Sequence, residues 1–293
     1  MSTASVFRKD FRGARRSRML WAAAVVLGLI AALLAYVSGG TGGTSTETVQ
    51  SLFRTLTLIM SVLLPIVALV ATYLAIAGER EGGGIKFLLS LPNTRRDVFV
   101  GKLASRFGTV AAGIGFVYVA ATSVALTRHG AFPAAVVFGT LLVTVVYGAT
   151  FVSVALSLSA AAASRSRAIA GAFGSYFVLV ILYVFPVVQI PMMVRWVHTT
   201  ILGADPNPDL YNAVQYTSPF LAYRKATNLV LPDDMRRTVF WSSLPQEADL
   251  AVEEYNAALP VYLQDEFSAV VLAFWLVVPL VLGYLLFERA DLE

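Results

Sequence analysis

The sequence predicts an all-α membrane protein that crosses the bilayer six times, and its composition and its apolar runs predict this together. Of the 293 residues, 57% are hydrophobic and 14% are charged, and the mean hydropathy is +0.72. Six runs without Asp, Glu, Lys, Arg or His each approach or exceed the ~20 helical residues that cross a hydrocarbon layer of ~30 Å. These spans are 19–37, 56–77, 107–126, 132–163, 168–188 and 267–287. We expect one membrane domain over residues 1–293.

The first span follows a stretch that looks like an export signal. The sequence "RRSRML" at 15–20 precedes the apolar run, somewhat as in a twin-arginine signal. However, no clear small-x-small cleavage site follows, and five more spans come after it. A retained transmembrane helix therefore explains the run better than a cleaved signal does.

The N-terminal tail before this span is basic and amphipathic. In "SVFRKDFRGARRSR", Phe7, Phe11 and Ala14 share one helical face and basic residues surround the rest. This pattern predicts a helix that lies in the membrane interface. A disordered basic tail that only enforces the topology is the alternative.

The distribution of Lys and Arg predicts the orientation. Fifteen of the 22 basic residues fall in the N-terminal tail, the span 2–3 loop, the span 4–5 loop and the C-terminal tail, and seven fall on the other side. Because cytoplasmic loops carry an excess of Lys and Arg, both termini are predicted to be cytoplasmic. The sequence pI of about 9.4 then reflects the topology and contact with anionic lipid headgroups.

The sequence lacks the residues that several kinds of catalytic and binding site require. There is no cysteine, hence no disulfide and no thiolate metal site, and neither an HExxH nor a GxSxG motif occurs. Gly101-Lys102 lacks the preceding glycine of a phosphate loop. The sequence also has no soluble basic patch with aromatic platforms, which is the pattern that would predict nucleic-acid binding. No span holds the ionisable residue that ion-coupled transporters generally need. We expect no catalytic residue, metal or bound cofactor here, and an energy source on another polypeptide.

The long loop between spans 5 and 6, residues 189–266, is different in character. It holds ten acidic and five basic residues. Asn207-Pro208 and Ser218-Pro219 each place a capping residue before proline, which predicts two helix starts. The segment 245–260 has the spacing of a further amphipathic helix. We interpret the loop as a helical extracytoplasmic lid that caps its own bundle or docks an extracytoplasmic partner.

The stretch between spans 2 and 3, "GEREGGGIKFLLSLPNTRRDVFVGK" at 78–102, combines charges, glycines and a short apolar run. The charges at 79–81 predict the point where the second span meets water, and the glycines at 82–84 allow the backbone to turn. Residues 85–91 predict a short amphipathic helix that lies flat and ends at Pro92. Thr94 and Asp97 have the spacing of a capping box that starts the next helix. Such a helix between two spans could pass force from a soluble partner into the bundle.

These residues resemble the signature of the ABC-2-type transporter permeases, roughly Glu-Arg-Glu-x-Gly-Thr, then Leu-Leu-Ser-x-Pro-x-x-Arg, then Gly-Lys. Gly84 stands where relatives carry threonine. The ending "LLFERADLE" and the six-span order with both ends inside are also similar to that family. The matching residues are Glu79, Arg80, Glu81, Gly83, Leu88, Leu89, Ser90, Pro92, Arg95, Gly101 and Lys102.

The resemblance implies the permease subunit of an ABC transporter, usually an exporter, in the plasma membrane of a prokaryote. It implies a second permease copy and two separate ATPase subunits, which bind the ATP, with the matching residues as the coupling element. A connector whose charges only set the topology is the alternative for this loop. Topology explains the arginines but not Glu79 and Glu81. For the whole protein, a membrane scaffold or maturation factor and a stand-alone secondary carrier are the alternatives.

The predicted orientation can be measured with introduced cysteines, because the chain has none of its own. We expect cysteines at Ser2 and at Ser243 to react with an impermeant thiol reagent from opposite sides of the membrane, since an odd number of spans separates them. Labelling of both positions from one side would contradict the predicted topology.

Overall fold

The computed structural model is a bundle of long helices and describes residues 3–38, 44–84, 94–184, 190–236 and 260–290. These residues contain no β-strand. The helices are α1 (Thr3–Arg15), α2 (Arg18–Val37), α3 (Ser45–Thr72), α4 (Ala77–Glu81), α5 (Arg95–His129), α6 (Ala134–Ala161), α7 (Arg165–Tyr176), α8 (Leu182–Val184), α9 (Ile190–Trp196), α10 (Pro208–Tyr216), α11 (Pro219–Asn228) and α12 (Ser268–Arg289).

Six helical segments are long and apolar enough to cross a membrane, which confirms the predicted fold class. Each of them overlaps one of the six apolar runs of the sequence. Two are composite, because α3 continues through a turn into α4, and α7 continues through a π-helical segment into α8. The segments are Arg18–Val37, Ser45–Glu81, Arg95–His129, Ala134–Ala161, Arg165–Val184 and Asp265–Arg289.

The core lies between α3, α5 and α6, with α12 packed on the outside of α6 and α2 on α5. Large side chains such as Phe53, Tyr147 and Phe151 are fully buried there. The Tyr147 hydroxyl donates to the carbonyl of Ser61 at 2.7 Å. A buried hydroxyl needs such a partner because no water reaches it.

The helices α10 and α11 begin where the sequence predicts, at Asn207-Pro208 and Ser218-Pro219. The helix α11 packs against α3, α6 and α12. Its Tyr223 is fully buried, stacks on Tyr147 with ring centroids 4.1 Å apart, and shares a 2.8 Å hydrogen bond with Thr144. The part of the loop that the structure describes therefore caps its own bundle. Residues 245–259 of the predicted third helix lie outside the described residues.

A buried ion pair fastens this cap to the start of the last span. The Lys225 ammonium lies 3.5 Å from a carboxylate oxygen of Asp265 and 4.1 Å from the ring centroid of Tyr216, and it also donates to the carbonyl of Leu263. Burial lowers the pKa of Lys225 below its ordinary value, and the Asp265 charge opposes that shift. The pair joins α11 to the residues that lead into α12.

At the opposite end of the bundle, α1 packs along the first turns of α5. The predicted helix is therefore present, but its buried face is Val6, Asp10 and Ala14, with Phe7 and Phe11 only half-buried. Phe7 and Phe11 share a side of α1 as predicted and stack with ring centroids 5.4 Å apart. The amphipathic pattern does not predict that Asp10 is turned inward, where Lys102 of another helix neutralises it.

Close packing of α12 on α6 depends on Gly283, because a Cβ placed there would lie 2.6 Å from the Cα of Ser157. We expect Gly283→Ala to destabilise the protein by about 1–3 kcal/mol, since the helices must move apart. The matched control is Gly174→Ala, because a Cβ at Gly174 would meet no atom within 4 Å. Thermal unfolding in detergent measures both, and equal melting temperatures would contradict the close approach.

Candidate coupling site at the end of α3 and the start of α5

The helix α3 ends at Thr72, a turn follows, and α4 carries the predicted charges at 79–81. The buried hydroxyl of Ser159 in α6 accepts hydrogen bonds from the amides of Ile76 and Ala77, each at 3.0 Å. This side chain ties the start of α4 to the bundle. After α4, Gly83 has a φ of 72°, a conformation that favours glycine, so the predicted backbone turn is confirmed.

A buried ion cluster joins α4, α1 and α5. The Lys102 ammonium lies 2.7 Å from a carboxylate oxygen of Glu79 and 3.0 Å from one of Asp10, and its side chain is 1% exposed. Lys9 adds a more exposed contact to Glu79 at 3.4 Å. One buried positive charge thus holds two carboxylates from two different helices, and each carboxylate offsets part of the cost of removing that charge from water.

The contact between α1 and α5 extends on both sides of this cluster. At Gly101 a Cβ would lie 2.7 Å from the Cβ of Val6, so only glycine permits this approach. The Thr3 hydroxyl donates to Asp97 at 2.5 Å. Asp97 and Thr94 also form the predicted capping box at the start of α5, which is confirmed. The first turns of α5 are therefore fitted to α1 by shape and by charge.

Arg95 joins the start of α5 to the end of the last span. One guanidinium nitrogen donates to the carbonyls of Phe287, Glu288 and Ala290 at 3.0, 2.5 and 2.9 Å. These carbonyls belong to the C-terminal end of α12, where the helix leaves carbonyl groups without a helical partner and carries partial negative charge. A cation at this place satisfies them, so Arg95 caps α12 from another helix.

Glu81 joins α4 to the start of α7. Its carboxylate accepts the backbone amide of Arg165 at 2.7 Å, and the Arg165 guanidinium lies 3.9 Å away. Arg165 also reaches the carbonyl of Gly78 at 3.4 Å. Both side chains are about half exposed, so this contact is weaker than the cluster around Lys102.

The structure brings together the predicted residues Glu79, Gly101 and Lys102, and it places Glu81 and Arg95 on neighbouring helices of the same end. Arg80 lies in α4 between the two glutamates. The predicted Leu88, Leu89, Ser90 and Pro92 lie outside the described residues.

Sequence reasoning missed several partners of these charges: Asp10, Ser159, Arg165 and the end of α12. One signal for Asp10 was present, because it is the single acidic residue in a basic tail. The other contacts lie about 80 to 195 positions apart along the chain and leave no local pattern. In the described residues Glu79, Glu81 and Arg95 are paired with groups of this chain.

The family described as "ABC-2 family transporter protein" matches residues 4–292. The chain belongs to the ABC-2 transporter family. Among individual proteins it is similar to "Probable ABC transporter permease protein NosY" of Stutzerimonas stutzeri, with 28% identity over 300 aligned positions, 97% of each chain. The protein of that name from Pseudomonas aeruginosa is 28% identical over 186 residues, 61% of this chain and 67% of its own.

In this ABC-2 family permease, the signature residues that the structure describes lie at one end of the bundle. In the described residues these charges and glycines connect neighbouring helices. Gly101 and Lys102 of α5 contact α1, and Lys102 also pairs with Glu79 of α4. Glu81 of α4 contacts the start of α7, and Arg95 of α5 contacts the end of α12. The geometry makes this end one connected unit of five helices. A displacement of α4 would act on α1 and α5 through Lys102.

The burial of Lys102 leads to a test of the cluster. We expect Lys102→Met to destabilise the protein by about 3–5 kcal/mol, because Asp10 and Glu79 lose the buried charge that pairs them. The control is Lys9→Met, which removes an exposed cation beside the same glutamate and should cost about 0.2–1 kcal/mol. Thermal unfolding in detergent gives both values, and an equal effect of the two changes would contradict the central role of Lys102.

Proposed function

We propose that this ABC-2 permease is the membrane-spanning subunit of an ABC exporter and that a separate ATPase subunit drives it. The family match supports the permease, and the chain has no phosphate loop of its own. In this proposal ATP binds to the partner, a second permease copy completes the membrane part, and the end that carries both termini faces the cytoplasm of a prokaryote. The fifteen basic residues assigned to that side support this orientation.

The observation that carries the proposal is the connected unit around the span 2–3 loop. The loop leaves α4 at Glu81 and enters α5 at Arg95, and both residues contact other helices of this end. A force applied to the loop by an ATPase would reach α4 and α5 first. It would pass through the Lys102 cluster to α1, through Arg95 to α12 and through Glu81 to α7. These residues then couple by joining helices rather than by touching the partner.

The coupling test uses the complex of permease and ATPase reconstituted in liposomes. We expect Glu81→Ala and Arg95→Ala to leave membrane insertion intact and to lower transport and cargo-stimulated ATP hydrolysis together, because force reaches fewer helices. Leu88→Asp should be at least as harmful, since it places a charge on the predicted apolar face of the loop helix. The measurement is the ATPase rate of the complex with and without cargo. In a separate assay, the purified permease chain alone should hydrolyse no ATP.

The matched control is Arg167→Ala, an exposed arginine at the start of α7. It should transport and couple like the wild type. Normal coupling in all three loop variants would reduce the loop to a connector. A complex in which the wild type assembles with the ATPase but moves no cargo would favour a membrane scaffold or maturation factor.

A further inference from the structure

A cavity of about 390 Å³ lies between α1, the start of α2, the end of α3 and α5. Lys9 and Asp10 of the ion cluster are among its lining residues. Its opening is marked by Lys9 and Met19, whose side chains are more than half exposed. Nothing in the coupling role uses this space.

One wall of the cavity is polar and positively charged. Arg106 lines it, and the Nε atom of that side chain is buried without a hydrogen-bond partner among the residues that the structure describes. Asp10 and Glu79 attract Arg106 from nearby, but Lys102 already contacts both carboxylates and Lys9 contacts Glu79. A buried N–H group without an acceptor is costly unless an acceptor is supplied from outside the chain.

The N-terminus of α2 adds to this positive wall. Ser17 caps the helix and lines the cavity together with Met19. The first amides of a helix lack helical acceptors and carry partial positive charge, which suits an anion. Ser17 at the α2 terminus and Arg106 thus line the same cavity, and Lys9 adds a cation to that lining.

The opposite wall of the cavity is apolar. It is formed by Leu20, by Val70 near the end of α3 and by Leu74 in the turn that follows α3. These residues belong to the transmembrane segments, whereas Ser17 and Arg106 stand at the boundary where the apolar runs begin. The cavity therefore changes from charged to apolar along the direction in which a lipid changes from headgroup to acyl chain.

We propose that this cavity binds an anionic phospholipid, with the phosphate on Arg106 and the start of α2 and the first acyl carbons along α3. The phosphate supplies the acceptor that the buried Nε lacks, and a guanidinium is well suited to phosphate oxygens. A net negative headgroup is favoured over a zwitterionic one because the N-terminal segment that borders the cavity carries Lys9 and arginines at 12, 15, 16 and 18. The lipid would fill the space between α1 and the spans that α1 covers.

The test measures lipid binding to the purified full-length chain in detergent by native mass spectrometry. Phosphatidylglycerol is compared with phosphatidylcholine of the same acyl chains. We expect the wild type to prefer phosphatidylglycerol, Arg106→Gln to lower that affinity about fivefold, and Arg106→Lys to retain most of it, since the charge remains. Inorganic phosphate, added alone and as a competitor, tests a soluble ligand instead.

The matched control is Arg167→Gln, which removes the same charge at the same end of the bundle but outside the cavity. It should bind phosphatidylglycerol like the wild type. The proposal is overturned if the wild type does not prefer the anionic lipid, if Arg106→Gln and Arg167→Gln behave alike, or if inorganic phosphate binds and displaces the lipid. Thermal unfolding without lipid verifies that the variants remain folded.

Discussion

The buried ammonium of Lys102 is the constraint on which the end of the bundle with both termini depends. A lysine side chain that is 1% exposed is stable only with opposite charges beside it, and here they come from α1 and from α4. The stability of Lys102 in its buried position therefore depends on both of those helices. Gly101, which precedes Lys102, also allows α1 to pack closely on α5, because the absence of a side chain lets Val6 of α1 approach the α5 backbone.

Different interactions stabilise the packing of the helices at the two ends of the bundle. One end is held by charges and carbonyls that join α1, α4, α5, α7 and α12. The other is held by α11, which places Tyr223 in the core, and by the pair of Lys225 with Asp265. A polar network satisfies its members only in one arrangement, so each end favours a defined packing of its helices. The core between them is mostly apolar and close-packed.

The fold could be predicted from the sequence to a large extent, because the signals that predict it are local. An apolar run without charges predicts a span wherever it occurs, and capping residues such as Thr94, Asn207 and Ser218 act on amides within three positions. The face of α1 could not be predicted in the same way. Amphipathic reasoning turns charged residues outward, but Asp10 faces inward because Lys102, 92 positions away, neutralises it.

The sequence by itself determined the six spans, the turn at Gly83, the residues that match the family signature and the helix starts at Thr94, Asn207 and Ser218. The tertiary structure alone decided what those residues touch: Glu79 meets Lys102, Glu81 meets Arg165, and Arg95 meets the carbonyls at the end of α12. It also formed the cavity beside Arg106. The physical reason is that helix formation and membrane insertion depend on neighbours in the chain, whereas the pairing of buried charges depends on which helices pack together.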